Sequence, residues 1–306
     1  MTSRVSSLRR AATALLLSAL LLVLYASGPR VTCELPDSPR LVGGVVLRDV
    51  IFRSKALHRD MSYRVYLPMY IAPGKRLPVV YLLHGAGNNF HEWSNYSDVS
   101  RFAASSFAGG LVLVMPEGNS SYYTNSVGNP KQRYEDYISK DLIADVESRF
   151  PVIAASGGRA VVGVSMGGFG AIKLALDYPF LFAFAGALSP ALDPPSRPFS
   201  LKRPLQWFYY RSTFGPWGSD ILHRNDPFRV VKSTSPDHIP HLYFTCGDRE
   251  SLLGPDTAFA TLLARGHFDY EFHIVPGGHD WNQWNAQLPP LFAELRRYLK
   301  PDGPPH

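Results

Sequence analysis

Six stretches of this chain run for about the length of one strand and stop at a turn residue, and the first five are apolar almost throughout. They read LPVVYLLHG (77–85), LVLVMPEG (111–118), GRAVVGVS (158–165), FAFAGALSP (182–190), HLYFTCGD (241–248) and DYEFHIVPGG (269–278). A strand wet on one face alternates apolar and polar residues, so a continuous apolar run implies burial on both faces. Helical periodicity fills the gaps between them. YEDYISKDLIADVESRF sets Tyr137, Leu142, Ile143 and Val146 along one side, and GAIKLALDYP, DTAFATLLARG and LPPLFAELRRYLK follow. Asp256 is expected to cap the third of these helices, and Gly266 to end it. Strands buried on both faces and alternating with helices require a mostly parallel sheet covered on either side, the α/β class. VVLRDVIF and MSYRVYLP, which alternate in ordinary strand fashion, add two strands ahead of the series. One domain over about 46–300 accounts for all of these elements.

Two segments stand apart. Arg9 and Arg10 precede the apolar run AATALLLSALLLVLYA, so residues 1–28 read as a signal peptide or an uncleaved N-terminal anchor, with 29–45 a linker and 301–306 a tail. Export to a secreted or periplasmic location is therefore expected. A lipidated Cys33 is disfavoured, because Arg30 and Thr32 fit poorly before such a cysteine. Cys33 and Cys246 are read as separate thiols, nothing in their spacing requiring a pair. Arg4, Arg9 and Arg10 supply half of the net charge of +6, and no basic run remains that would suit a nucleic acid. The second segment, 191–240, carries many prolines and the aromatics Trp207, Phe208, Tyr209, Tyr210, Phe214 and Trp217, and it is read as a cap inserted over a site.

The chemistry concentrates in GVSMG (163–167). A serine between a buried strand and a helix, flanked by glycines, fits a nucleophile elbow. Glycines at 163 and 167 relieve collisions between strand and helix, and the helix N-terminus points at the hydroxyl. No lysine follows as in a phosphate-binding loop, and GAGNNF lacks the third glycine of a dinucleotide fingerprint. A serine needs a base, and His279 in VPGGHDW lies just after the last strand, where His273 (within that strand) and His267 (before it) do not. Asp248 and Glu250 both lie just past the strand HLYFTCGD; Asp248 comes first and is taken as the acid that orients the imidazole. Asp280 is read as a local cap. The amides of Met166 and of Ala86, in LLHGAGNN, are the expected oxyanion donors. His84 and Trp93 read as supports or pocket walls, and Trp93, Trp207 and Trp281 as substrate contacts.

LPVVYLLHGAGNNFHEW, GVSMGGFGAIKLAL, FAGALSP, FTCGD and GGHDW together resemble the esterase branch of the α/β-hydrolases, over about 46–300 and in matching order. That branch includes tributyrin and other short-chain acyl esterases, feruloyl esterases, S-formylglutathione hydrolases and secreted mycolyltransferases. The resemblance implies an α/β-hydrolase fold with a Ser165–Asp248–His279 triad and an oxyanion hole at Ala86 and Met166. It also implies hydrolysis of small-molecule short-chain acyl or aryl esters without metal or cofactor. Two other readings use the same residues: an acyltransferase passing the acyl group to a sugar or alcohol, and a non-catalytic binding module on the same fold. Segment 191–240 departs from the family pattern.

Overall fold

The computed structural model describes residues 36–104 and 109–299. The leader over 1–28, Cys33 and the 301–306 tail lie outside the described residues. Eight strands form one sheet: β1 (Val45–Ser54), β2 (Arg59–Pro68), β3 (Val79–Leu83), β4 (Val112–Pro116), β5 (Arg159–Val164), β6 (Phe184–Leu188), β7 (His241–Gly247) and β8 (Tyr270–Val275). Their spatial order is β1-β2-β4-β3-β5-β6-β7-β8. β1, β2 and β4 pair antiparallel, and every pairing from β4 to β8 is parallel.

The pleat explains the continuous runs. Along β3 every residue from Val79 to Leu83 is fully buried. Val79, Tyr81 and Leu83 enter the core on one face, while Val80 and Leu82 enter the core on the other. At roughly 1.5–3 kcal/mol per large apolar side chain, such a strand leaves no room for a polar residue on either side. Helices α2 (Ile143–Arg149), α3 (Met166–Asp177) and α5 (Leu253–Arg265) cover the first face. The short α1 (Glu92–Tyr96) and the long α6 (Trp281–Tyr298) cover the second. β8 is the exception to the six-run pattern, because as an edge strand it buries no residue completely.

Two helix boundaries differ from expectation. α5 begins at Leu253, so Asp256 lies inside its first turn and not at its cap. Its carboxyl is buried, and that burial pushes it up to about 9. α6 begins at Trp281, well before Leu288, and runs through Pro289 and Pro290; Asp280 caps it by accepting from the Asn282 and Gln283 amides.

Segment 191–240 is a chain of short helices, each with a proline in its first turn or a capping serine before it. The longest, α4 (Pro204–Phe214), opens on a proline, as do Pro194–Ser196, Pro227–Ser233 and Pro236–His238, while Asp220–Arg224 starts from a Ser219 cap. Four of these helices thus start at a proline of the segment.

Candidate active site

Ser165 sits between β5 and α3 at φ 54°, ψ −114°, a conformation that costs a non-glycine residue about 1–3 kcal/mol. Three backbone bonds hold it there: its N–H donates to Leu188 O at 2.9 Å, and its carbonyl accepts from Phe169 at 3.0 Å and Ala191 at 3.1 Å. The flanking glycines make the turn possible. A Cβ on Gly163 would lie 2.1 Å from the backbone of Gly167, and one on Gly167 would lie 2.1 Å from Leu83 O.

The turn leaves the serine hydroxyl at the C-terminal rim of the sheet, 2.9 Å from His279 Nε2. His279 Nδ1 donates to Glu250 Oε2 at 2.6 Å, so Nε2 is the nitrogen free to accept the serine proton. The acid partner is therefore Glu250, and the expectation of Asp248 is corrected. β7 ends in a turn closed by the Glu250 N–H donating to Gly247 O, which brings residue 250 back beneath the histidine loop. Asp248 stays on the rim, its side chain about half exposed, and accepts from the Gly277 N–H at 3.0 Å. It shapes the loop that carries His279 without reaching the imidazole.

Glu250 is well prepared for an ionised role. Its side chain is 1% exposed, and Oε1 accepts from the Gly247 N–H at 2.9 Å and from Ser189 Oγ at 2.6 Å. Burial is the largest influence and pushes its carboxyl upward, but the His279, Ser189 and Gly247 donors together hold it below the usual carboxylate range. Ser189 in turn accepts from Trp284 Nε1 at 3.0 Å, and the Trp284 ring meets the His279 ring edge to face at 5.0 Å. Replacing Ser189 with alanine removes a hydrogen bond to a charged carboxylate and leaves the indole N–H unpaired. Such bonds contribute about 1.5–3 kcal/mol, so Ser189→Ala should lower kcat roughly tenfold or more with KM little changed. Steady-state kinetics beside a thermal melt check this, and an unchanged kcat in a folded variant would remove Ser189 from the relay.

The loop after β3 abuts the serine, with the Cβ position of Gly85 only 3.7 Å from Ser165 Cβ. Ala86, next along, is exposed, and Met166 opens α3 with an N–H that has no carbonyl four residues back inside its helix. Sequence reasoning missed the residue that braces this loop. Glu92 on α1 is buried, its Oε2 accepting from the Gly85 N–H at 2.6 Å and its Oε1 from Asn88 Nδ2 at 2.6 Å. Burial pushes its carboxyl above the ordinary range against the pull of His84 and of the Gly85 amide. Only the acid directly before Trp93 signalled it. His84 is a support of the same loop: Nε2 accepts from the Gly118 N–H at 2.8 Å, so Nδ1 carries the proton and donates to Gly85 O.

The three tryptophans separate. Trp93 is 1% exposed and donates to Leu83 O, so it props β3 and does not form the surface of a pocket. Trp281 packs on Trp93 at 5.1 Å and on Trp284 at 5.2 Å, next to the histidine. Trp207 lies within the cap, with Phe199 and Phe208 against its ring and Arg211 over its face. The cap meets the serine's helix through Phe214, 5.4 Å from Phe169, and through Tyr122, which packs on both.

This strand order, with a serine turn and a histidine loop on one rim, is that of an α/β-hydrolase. A solved ferulic acid esterase superposes with a TM-score of 0.71 at 23% identity, covering 84% of this chain and 99% of that one. The chain belongs to the Putative esterase family, whose pattern matches residues 54–295. An acetyl esterase of Caldicellulosiruptor saccharolyticus is 26% identical over 83% of this chain and 99% of that protein. The diacylglycerol acyltransferase/mycolyltransferase Ag85B of Mycobacterium avium is 27% identical over 89% and 92%. The chain is thus placed among enzymes that act on esters, by hydrolysis or by acyl transfer.

Proposed function

We propose that the protein is a serine carboxylesterase that cleaves short-chain acyl or aryl esters through an acyl-enzyme. The observation that carries this reading is the continuous chain of hydrogen bonds from Ser165 Oγ through His279 to the buried Glu250. Ser165 Oγ attacks the ester carbonyl as its proton passes to His279 Nε2, and Glu250 stabilises the imidazolium that results. The amides of Met166 and Ala86 receive the oxyanion, aided by the positive end of α3. His279 returns the proton to the departing alcohol, then takes one from the water that attacks the acyl carbon and passes it to Ser165 Oγ as the acyl–serine bond breaks and the acid leaves.

Ser165→Ala should lower p-nitrophenyl acetate hydrolysis by at least about 10⁴-fold, as removal of a triad nucleophile does elsewhere, and should abolish labelling by a fluorophosphonate probe. Retained hydrolysis or retained labelling would refute the assignment. The likeness to a mycolyltransferase supports a second outcome in which a sugar or alcohol replaces water as acyl acceptor. Product analysis with candidate acceptors separates the two, because both share every step up to the acyl-enzyme.

A further inference from the structure

At the end of the sheet opposite the serine, three ligating side chains from three elements converge. A ring nitrogen of His241, at the start of β7, and carboxylate oxygens of Glu271 on β8 and Glu294 on α6 all lie within 4.8 Å of one another. Six residue-to-residue steps of extended strand lead from His241 to Gly247, which puts this cluster roughly 20 Å from the Glu250 turn. Glu271 and Glu294 line a groove of about 440 Å³ together with Tyr243, His273, Gln287 and Pro290.

His241 is the unusual member. Its side chain is 2% exposed, and neither ring nitrogen makes a hydrogen bond. Asp269 Oδ1 lies 3.0 Å from Nδ1 without forming a hydrogen bond to it, and Nε2 has no hydrogen-bond partner either. Stacking on Tyr298 at 4.2 Å and on Phe184 at 5.8 Å fixes the plane of the ring. A buried imidazole that makes no hydrogen bond is expensive, and a cation in the ring plane would satisfy it. The groups that now face the glutamates are surface ones able to yield. Arg297 Nη1 donates to both Glu294 oxygens at 2.8 and 2.9 Å from a largely exposed side chain, and the half-exposed His273 stands 2.9 Å from Glu271 Oε2.

We propose that His241, Glu271 and Glu294 bind a divalent transition-metal ion, Zn²⁺ by donor type, which clamps the outer edge of the sheet to the C-terminal helix. One imidazole with two carboxylates suits zinc, whereas calcium and magnesium select oxygen ligands alone. A tetrahedral ion about 2.0–2.2 Å from each donor needs them roughly 3.3–3.6 Å apart, a contraction of at most about 1.5 Å from the present spacing within 4.8 Å. The ion is structural and lies apart from the ester chemistry, for which no metal is expected.

The test uses the full chain, stripped with chelator and titrated with Zn²⁺ by calorimetry beside thermal melts. The wild type and His279→Ala should each bind one equivalent and melt at higher temperature, while Glu271→Gln and His241→Phe should bind at least tenfold more weakly and lose the shift. Phenylalanine keeps the stacking of residue 241 but cannot ligate, and Glu271→Gln carries the test should the first variant fail to fold. The proposal is overturned if the wild type binds no Zn²⁺, if both site variants bind as the wild type does, if binding disappears in His279→Ala, or if Ca²⁺ gives the larger shift.

Discussion

Glu250→Gln should lower kcat by roughly 10³–10⁴-fold, while Asp248→Asn should leave it within a few-fold of the wild type. The magnitude follows from what the amide does to the imidazole: it no longer stabilises the positive charge and can hold the wrong tautomer, as in other triads whose acid is neutralised. A factor of 10⁴ is about 5.5 kcal/mol of transition-state stabilisation. Geometry allots that role to the residue 2.6 Å from His279 Nδ1 and not to one bound to the Gly277 amide. Hydrolysis of p-nitrophenyl acetate by both variants decides the matter. If Asp248→Asn is the crippled one and Glu250→Gln retains activity, the relay described here is wrong.

Gly163→Ala should abolish the folded protein, or lower its melting temperature by roughly 10 °C or more together with loss of activity. The added Cβ would lie 2.1 Å from the carbonyl carbon and oxygen of Gly167 and 2.6 Å from the Gly168 nitrogen. All three are main-chain atoms, unable to swing aside as a side chain would. β5 and α3 would have to move apart, breaking packing around fully buried Val162, Val164 and Phe169. Gly254→Ala supplies the contrast, since nothing lies within 4 Å of its Cβ position in α5, and alanine there should be neutral or stabilise by about 0.5–1 kcal/mol. Near-UV circular dichroism and thermal melts of the two variants check the pair. A normally folded, active Gly163→Ala would mean the strand–helix contact is looser than described.

Much of the site was legible because its signals are local. The two glycines around Ser165 answer to atoms a few residues away or on the neighbouring strand, and the pattern of a buried strand followed by a helix lies in adjacent residues. His279 was legible for a related reason, since a histidine after the last strand must emerge at the same rim as the serine. The choice between Asp248 and Glu250 was not local. It depends on how the chain turns after Gly247 and on where a loop 29 residues further along comes to rest. Glu92 and Ser189 were hidden likewise: a lone glutamate or serine becomes a brace only when folding brings an amide or a carboxylate to it. Asp256 shows the converse error, a residue type that caps helices standing inside one because α5 starts three residues earlier. In the cap, the prolines were visible, but whether they open helices or irregular chain depends on the packing of Phe214 and Tyr210 against the body of the protein.

By itself, then, the order of residues determined the strands, the burial of the inner ones on two faces, the strained serine turn and the rim where the base would stand. These follow from periodicity, steric volume and turn conformation, all acting over a few residues. Only the tertiary structure decided which acid meets the histidine, what braces the loop after β3, and that His241 would lie beside Glu271 and Glu294. Each of those depends on distances between segments far apart in the chain, set by how helices and strands pack and invisible in the neighbourhood of any one residue.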